Sequence, residues 1–254
     1  MTPHILLTND DGITSEGLHA MHRALRRLGR VTVVAPDAER SAIGHAITTL
    51  TPLRVKEYHQ GTLTGHACNG TPADCVKLAV STICRDDRPD LVVSGINLGA
   101  NTATNILYSG TVSAATEARI LGVPSMAISL ATLRDPTWTY AAGLGRRIAA
   151  QVLERGLPPR VLLNVNVPNL PRPRIKGIRI CRQGEATYVE EFSQREDPRR
   201  QPYYWLSATR ITRDEDPETD SWAVAHGYVS ITPISLDLTA HHLLGDLAHW
   251  SWRR

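Results

Sequence analysis

Short apolar runs and amphipathic segments alternate along the first half of the chain. Residues 4–8 form the first apolar run, and a segment with helical periodicity follows it. The residues that fall on one face of this predicted helix are Leu18, Met21, His22, Leu25 and Leu28. A second apolar run at residues 31–35 completes a strand, a helix and a strand in about thirty residues, the length of one βαβ unit.

The same alternation recurs up to residue 130. Pro72 suits the first turn of a helix that we expect to reach residue 83. Further patterns predict a strand at 91–95, a helix at 112–121 and a strand at 125–130. Uninterrupted apolar strands that alternate with helices are typical of an α/β protein whose mostly parallel sheet is covered on both faces.

Beyond residue 130 the pattern is less regular. Apolar residues from Tyr140 to Val152 step by four and predict one more helix. Residues 183–222 are polar, aromatic and rich in arginine, and they lack helical periodicity, so we expect a projecting hairpin or a long loop. The remaining predicted elements are strands at 161–167, 175–181 and 227–232 and a terminal helix at 238–250.

Composition excludes several classes of protein and divides the chain in two. The 254 residues are 42% hydrophobic and 21% charged, which excludes a disordered or collagen-like chain. A net charge of +3 is too small to indicate a nucleic-acid polymer or an anionic membrane as a partner. Eleven of the thirteen aromatic residues follow residue 130, so we divide the predicted single domain, 1–254, into a ring-poor catalytic core, 1–130, and a C-terminal portion, 131–254.

The cysteines and the N-terminus indicate a cytoplasmic protein. The four cysteines form no CxxC pair, and a chain of this length needs no disulfides, so we expect reduced and mostly buried thiols. The first residues show no basic segment followed by a long apolar stretch, so no signal peptide is expected. No run reaches the ~18 apolar residues of a membrane helix.

Polar residues follow the predicted strands at three places, 9–12, 37–49 and 95–111. In a parallel α/β sheet, ligands bind outside the carboxyl ends of the strands, so we expect these loops to converge. Neither the glycine-rich dinucleotide fingerprint nor the P-loop motif occurs, which argues against dinucleotide and P-loop triphosphate sites.

Adjacent carboxylates in the first of these loops indicate a metal site. Asp10 and Asp11 repel each other unless a cation lies between them or one carboxyl is protonated. Oxygen ligands such as those of Ser41 and Asn97 would complete a site for Mg²⁺ or Mn²⁺ rather than for zinc. The alternative is an Asp-Asp-Gly turn with an Asx hydrogen bond.

A phosphate site is predicted where a helix begins after Tyr108. Gly110 lets the backbone approach a ligand, and Ser109 and Thr111 add hydroxyls beside the free N–H groups of a helix N-terminus. The alternative is an ordinary Ser or Thr N-cap. His45, in the predicted loop after the second strand, is a candidate proton donor or phosphate contact, and otherwise a surface residue.

Five segments occur in an order that is specific. They are ILLTNDDGITSEGL at 5–18, VVAPDAERSAIGHAIT at 33–48, GTPADCV at 70–76, PDLVVSGINLGAN at 89–101 and YSGTVSAATEA at 108–118. Together they closely resemble the SurE (survival protein E) family of 5′/3′-nucleotidases. The resemblance continues through NVNVP, Gln183–Gly184, TDSWAV and GYVSITPISLDLTAH, so it covers nearly the whole chain. Two positions depart from it: Asn105 replaces a common acidic residue, and Ala118 replaces a common glycine.

The resemblance implies a three-layer, Rossmann-like α/β fold with a projecting β-hairpin and a terminal helix. It also implies a metal-dependent phosphatase of nucleoside 5′-monophosphates, with 3′-monophosphates as further substrates. One divalent cation per subunit, Mg²⁺ or Mn²⁺, would be held by Asp10, Asp11, Ser41 and Asn97, and Asp10 and Asp11 are the expected catalytic residues. The expected phosphate and substrate contacts are Asn9, Gly44, His45, Asn101, Ser109, Gly110 and Thr111.

The expected reaction is hydrolysis by metal-activated water. An aspartyl-phosphate route is the rival, but position 9 is Asn, so the D-x-D arrangement that would suit it is absent. The resemblance further implies a homodimer or homotetramer that exchanges C-terminal elements. Two alternatives to an enzyme stay open: a metal-dependent nucleotide sensor without turnover, and an oligomeric scaffold whose aromatic C-terminal half is the functional surface.

Overall fold

One large sheet lies between two layers of helices in the computed structural model, which describes residues 2–212 and 214–252. Its strands, in spatial order, are β3 (Val55–Gln60), β4 (Leu63–Cys68), β2 (Arg30–Pro36), β1 (His4–Thr8), β5 (Leu91–Leu98), β6 (Ser125–Ala131), β7 (Val161–Pro168), β11 (Val229–Ser235) and β8 (Ile178–Ile180). Neighbouring strands are parallel, except that β3 with β4 and β7 with β11 are antiparallel. The predicted mostly parallel α/β sheet is confirmed.

The helices cover both faces of the sheet because successive strand residues point to opposite sides. The helices are α1 (Glu16–Leu25), α2 (Pro72–Leu78), α3 (Gly110–Ile120), α4 (Trp138–Arg155), α5 (Asp220–Ala225) and α6 (Leu244–Ala248). Ile5 and Leu7 of β1 belong to the core that includes α1 and α4. Leu6, between them, belongs to the core that includes α2 and α3. This alternation produces the predicted three layers.

The strand order reverses beside β1, which fixes where a ligand can bind. β2 pairs with one edge of β1, and β5 pairs with the other. In open α/β sheets the crevice outside the carboxyl ends of two such strands is the ligand site. Leu7 of β1 is in register with Val93 of β5, so the loops that follow these strands leave the sheet side by side.

Gly95 allows β5 to bend just before that edge. The register between β5 and β6 shifts between Ser94 and Asn97, so β5 has one extra residue there. The φ angle of Gly95 is +132°, and an added Cβ would lie 2.2 Å from the carbonyl oxygen of Ile128. A side chain at this position would therefore be strained and would collide with β6.

The C-terminal portion contains the predicted hairpin. β9 (Tyr188–Glu196) and β10 (Pro202–Ile211) pair in antiparallel fashion as a separate two-stranded sheet. Residue 213, inside the predicted projecting segment 183–222, lies outside the described residues. The short helix α5 was not predicted, and the terminal helix is shorter than expected, with a 3₁₀ turn at His241–Leu243 before α6. Leu238, Leu243 and Leu244 are exposed in this chain, so no packed face extends that helix.

The edge strand β3 was also missed, because its residues are mostly exposed and show no apolar alternation. The four cysteines are free and buried, as expected. Among the described residues, no helix combines the length and the apolar character that crossing a membrane requires.

Candidate functional site

The adjacent carboxyl ends of β1 and β5 bring three predicted ligands to one edge of the sheet. Asp10 and Asp11 follow β1 directly in the loop that leads to α1. The backbone N–H of Leu98, which follows Asn97 at the end of β5, donates a hydrogen bond to Oδ2 of Asp11 at 3.1 Å. Two distant parts of the sequence therefore meet at the reversal of strand order, where convergence was expected.

Asp10 packs directly against the first turn of α3. Its side chain is buried, and Oγ1 of Thr111 donates to its Oδ1 at 2.5 Å. An added Cβ on Gly110 would lie 2.8 Å from Cβ and 2.9 Å from Oδ2 of Asp10, so this position has no room for a side chain. Ser109 caps the helix, because its Oγ accepts from the N–H of Val112 at 3.1 Å. The segment predicted to hold the cation is thus in contact with the segment predicted to hold the phosphate. Ser109 is also the N-cap of α3, which was the alternative interpretation of this residue.

Burial raises the pKa of both carboxyl groups, and nearby negative charge adds to each shift. Burial raises the pKa of Asp10, although the hydrogen bond from Thr111 opposes it. The pKa of Asp11 rises to about 7, first through burial and then through the negative charge of Asp10, with Glu39 adding to the shift. The charged neighbours that act on this pair within the described residues are acidic. Two carboxyl groups without a basic partner favour a bound cation.

Neutral oxygens near the carboxyls complete the possible ligand set. Nδ2 of Asn97 donates to the carbonyl oxygen of Gly99 at 2.7 Å, so the oxygen of that amide is the atom suited to ligate a cation. Oγ of Ser41, on the exposed loop after β2, donates to Oε1 of Glu39 at 2.5 Å. Oδ1 of Asn9 is buried without a hydrogen-bond partner among the described residues, next to the two carboxylates in sequence.

These donors fit a hard cation. Within the part of the chain that the structure describes, no cluster of three or more His, Cys, Asp or Glu residues could hold a metal ion. The candidate site therefore has two carboxylates, and its other ligands must be neutral oxygens or water. Mg²⁺ is typically bound through one or two carboxylates together with water and substrate phosphate, whereas zinc sites use Cys and His. Asp10 and Asp11, with Ser41 and Asn97, match the first pattern.

Asn101 is held by side chains that the sequence reasoning did not single out. Its backbone N–H donates to Oδ1 of Asn166 at 2.8 Å, and its carbonyl accepts from Nδ2 of Asn164 at 2.8 Å and of Asn166 at 3.0 Å. Its own Nδ2 donates to Oγ of Ser129 at 2.9 Å and approaches Oγ1 of Thr111 at 3.4 Å. A signal existed, because two asparagines two residues apart interrupt the otherwise apolar strand β7.

Asp220 is a further residue that was missed. Its buried carboxylate accepts hydrogen bonds from the backbone N–H groups of Ala103 at 3.2 Å, Gly184 at 2.9 Å and Ser221 at 2.8 Å. Burial nevertheless raises its pKa. Asp220 therefore fastens the C-terminal portion to the loop that carries Asn101. The sequence showed it only within the TDSWAV segment, with no indication of its partners.

The loop of Gly44 and His45 contacts α3 and the residues just before it. The N–H of Gly44 donates to the carbonyl of Tyr108 at 3.0 Å, with Gly44 in the left-handed region at φ +60°. Nε2 of His45 lies 2.9 Å from Oε2 of Glu117, and Nζ of Lys77 lies 2.6 Å from Oε1 of Glu117. Burial raises the pKa of Glu117, but these two partners together hold it below its usual value. The structure thus pairs His45 with Glu117, the eighth residue of α3, and the contact of His45 with phosphate stays a prediction.

Comparisons with known proteins agree with this architecture. The family model described as survival protein SurE matches residues 5–190. Relatives named 5′-nucleotidase SurE include one from Syntrophobacter fumaroxidans, 50% identical over 97% of this chain and 99% of its own, and one from Desulfatibacillum aliphaticivorans, 49% identical over 97% and 98%. A crystal structure of SurE protein from Aquifex aeolicus superposes with a TM-score of 0.84 at 43% identity, covering 97% of this chain and 99% of that one. The chain belongs to the SurE family, which confirms the resemblance of its sequence motifs.

Proposed function

We propose that this protein is a divalent-cation-dependent phosphatase that hydrolyses nucleoside 5′-monophosphates. One observation carries the proposal: two adjacent carboxyl groups with raised pKa lie where the strand order of the sheet reverses, and one of them, Asp10, contacts the N-terminus of α3. A cation at the carboxylates and a phosphate at the helix N-terminus would then be neighbours. Membership of the SurE family and the names of the relatives support a nucleotide phosphatase.

The protein's own groups supply binding and orientation. The N-terminal N–H groups and the dipole of α3 favour an anion, and Gly110 lets Asp10 pack closely against this end of the helix. Asn101 is fixed by the β7 asparagines, so it offers a preorganised contact on the same side. Preorganised donors of this kind stabilise charge that develops on a phosphoryl group in the transition state.

Asp10, Asp11, Ser41 and Asn97 would hold the cation. When bound, Mg²⁺ or Mn²⁺ supplies charge neutralisation and lowers the pKa of water for in-line attack. Each carboxylate already has one oxygen in a hydrogen bond, Asp10 with Thr111 and Asp11 with Leu98. With both carboxylates holding the cation and Asn at position 9, no second suitably spaced acid is left for an aspartyl-phosphate route, so we propose direct attack by water.

The test is a phosphate-release panel of 5′- and 3′-monophosphates with Mg²⁺, Mn²⁺, Co²⁺ or Zn²⁺. We expect release from 5′-monophosphates with Mg²⁺ or Mn²⁺, none with a chelator, and a loss of at least about 10²-fold for Asp10→Asn. The 3′-monophosphates decide how far the activity extends. Binding of metal and nucleotide without any release would overturn the enzyme and favour the nucleotide sensor.

We also propose a homodimer or homotetramer whose C-terminal elements take part in the contact. Tyr204 and Trp205 of the hairpin and Trp250 and Trp252 at the C-terminus are each about 60% exposed, although large aromatic rings are costly to leave in water. Trp205→Glu should lower the mass measured by light scattering, and an unchanged mass would remove the hairpin from the interface.

The four buried free thiols support a reducing compartment, so we propose a cytoplasmic location.

A further inference from the structure

A cavity of about 400 Å³ opens directly beside the carboxylate pair. Asp11 and Ser41, two of the proposed cation ligands, line one part of it. Leu98, Leu133 and Trp138 line another part. Sites for small molecules typically measure about 300–1,000 Å³ and combine apolar walls with a few polar groups, so this cavity has the size and the character of a ligand site.

Two of the apolar residues that line the cavity are open to solvent, and the third, Trp138, packs in part against the core that includes α1 and α4. Leu133 is 77% exposed and Leu98 is 36% exposed, although each lies on a loop or strand end that borders the carboxylates. Trp138 is half-buried at the first residue of α4. An apolar surface that stays open next to a charged site is available for a flat, apolar part of a substrate.

Trp138 is held in place by two contacts. Its Nε1–H donates to Oε2 of Glu16 at 3.2 Å. Its ring also packs on Gly17, where an added Cβ would lie 3.0 Å from Cζ3 and 2.0 Å from the carbonyl oxygen of Ile96. Any side chain at Gly17 would displace α1 from β5 or would move the ring. A ring fixed in this way is a ready platform on which a planar group can stack.

The polar part of the cavity carries hydrogen-bond acceptors. Asp11, Glu16 and Glu39 contribute carboxylates to its lining. Glu16 uses one oxygen for Trp138, and Glu39 uses one for Ser41, which leaves the second oxygen of each as an acceptor. Ionised carboxylates only accept, so they match a base edge that carries an amino group and repel a carbonyl oxygen.

We propose that this cavity takes the nucleobase of the substrate, with Trp138 as its stacking surface and Glu16 as the acceptor that favours bases bearing an amino group. The proposal rests on the proposed function, since it places the base beside a phosphate held at α3. It predicts that adenosine 5′-monophosphate is preferred over inosine 5′-monophosphate, which has a carbonyl where adenine has its amino group. Trp138 and Glu16 then determine specificity without taking part in the chemical step.

The first test compares adenosine 5′-monophosphate with ribose 5-phosphate, which has no base, using Mn²⁺. Trp138→Ala should lower kcat/KM for the nucleotide by about tenfold, mainly through KM, and should leave that for ribose 5-phosphate within about twofold. Trp138→Phe keeps a ring and should retain most of the nucleotide activity, which guards against an alanine variant that fails to fold. Ile120→Ala, an exposed apolar truncation about 15 Å along α3 from Gly110, is the matched control and should change neither substrate.

The second test concerns Glu16. Glu16→Gln should reduce the preference for the adenine nucleotide over the inosine nucleotide at least about threefold, because a glutamine can also donate to a carbonyl. Equal losses on the nucleotide and on ribose 5-phosphate in Trp138→Ala would overturn the base site alone. The base site would also be overturned if Trp138→Ala kept wild-type kinetics on both substrates but had a lower mass in solution. That result would place a segment of a second copy of the chain in the cavity. If wild-type protein releases no phosphate from any ester, the proposed function fails, and the base site fails with it.

Discussion

Asp11→Asn should stabilise the metal-free protein while removing its activity. The pKa of Asp11 is raised from 3.8 to about 7 by burial and by the charge of Asp10, so ionising this carboxyl costs the folded state free energy. A tenfold change in the acid dissociation constant corresponds to ~1.4 kcal/mol, which gives a ceiling of about 4 kcal/mol for this carboxyl. Asp11 is only partly buried and solvent screens its charge, so we expect about 1–3 kcal/mol.

The effect must depend on pH in a defined direction. Because the folded pKa lies above the unfolded one, folded wild-type protein holds a proton that the unfolded chain releases between about pH 4 and pH 7. Wild-type stability therefore falls as pH rises through that window, and the penalty is complete above about pH 7. Asparagine cannot ionise, so the advantage of the variant should be near zero at about pH 4 and full at about pH 8.

Urea unfolding in a chelating buffer at several pH values measures this difference. Added Mn²⁺ should reverse the order, because ligand at 100 times its Kd stabilises the folded state by about 2.7 kcal/mol and the variant lacks one carboxylate ligand. Asp86→Asn, at an exposed acidic residue, is the control and should show no such growth with pH. An Asp11→Asn variant that is destabilised equally at low and high pH would refute the reasoning.

Three single contacts give the remaining predictions. Gly110→Ala should lower activity by at least about 10²-fold and stability by about 1–3 kcal/mol, because the added Cβ collides with Asp10. Phosphate release and thermal unfolding measure these two losses. The control is Gly143→Ala, in open space on α4, which should stabilise the protein slightly. Asp220→Ala should cost at least about 1–3 kcal/mol and raise KM, because the backbone N–H groups of Ala103, Gly184 and Ser221 would lose the oxygen that accepts from all three; unchanged urea unfolding would contradict this. His45→Ala should lower stability by about 1 kcal/mol and change kcat/KM by less than about threefold if its role is to hold the loop on Glu117, whereas a loss above tenfold would indicate the phosphate contact predicted from the sequence.

The candidate site was predictable where chemistry follows directly from chain order. Strands β1 and β5 are continuous apolar runs, and Asp10, Asp11 and Asn97 come where those runs give way to polar residues. Parallel strands joined through helices must present their carboxyl ends at one edge, so convergence follows from topology alone. The contact of Asp10 with Gly110 does not follow from topology, because it depends on the close approach of α3 to one side chain.

The supporting residues were not predictable for a physical reason. Asp220 binds backbone N–H groups of three segments. Nearly every residue type has such a group, so the sequence does not indicate which residues Asp220 would bind. Strand β3 was not predicted because the residues of this exposed edge strand do not alternate between apolar and polar. The periodicity of apolar residues indicates which face of an element is buried. It gives no information about a segment that is held by hydrogen bonds to its backbone or that lies in solvent.

The scarcity of aromatic rings in the first half has a structural cause that bears on the base site. Helices α1 and α4 approach closely, as Gly145 shows, where an added Cβ would lie 2.4 Å from Cε of Met21. Small residues on α4, including Ala141 and Ala149, keep that layer thin, and the largest fully buried side chains of the described chain are Ile, Leu and Met. The rings that pack against this core, Tyr58, Trp138 and Tyr140, are only partly buried. Trp138, the first aromatic residue beyond residue 130, packs in part against that core where α4 begins, and the rest of its surface lines the cavity that we propose as the base site.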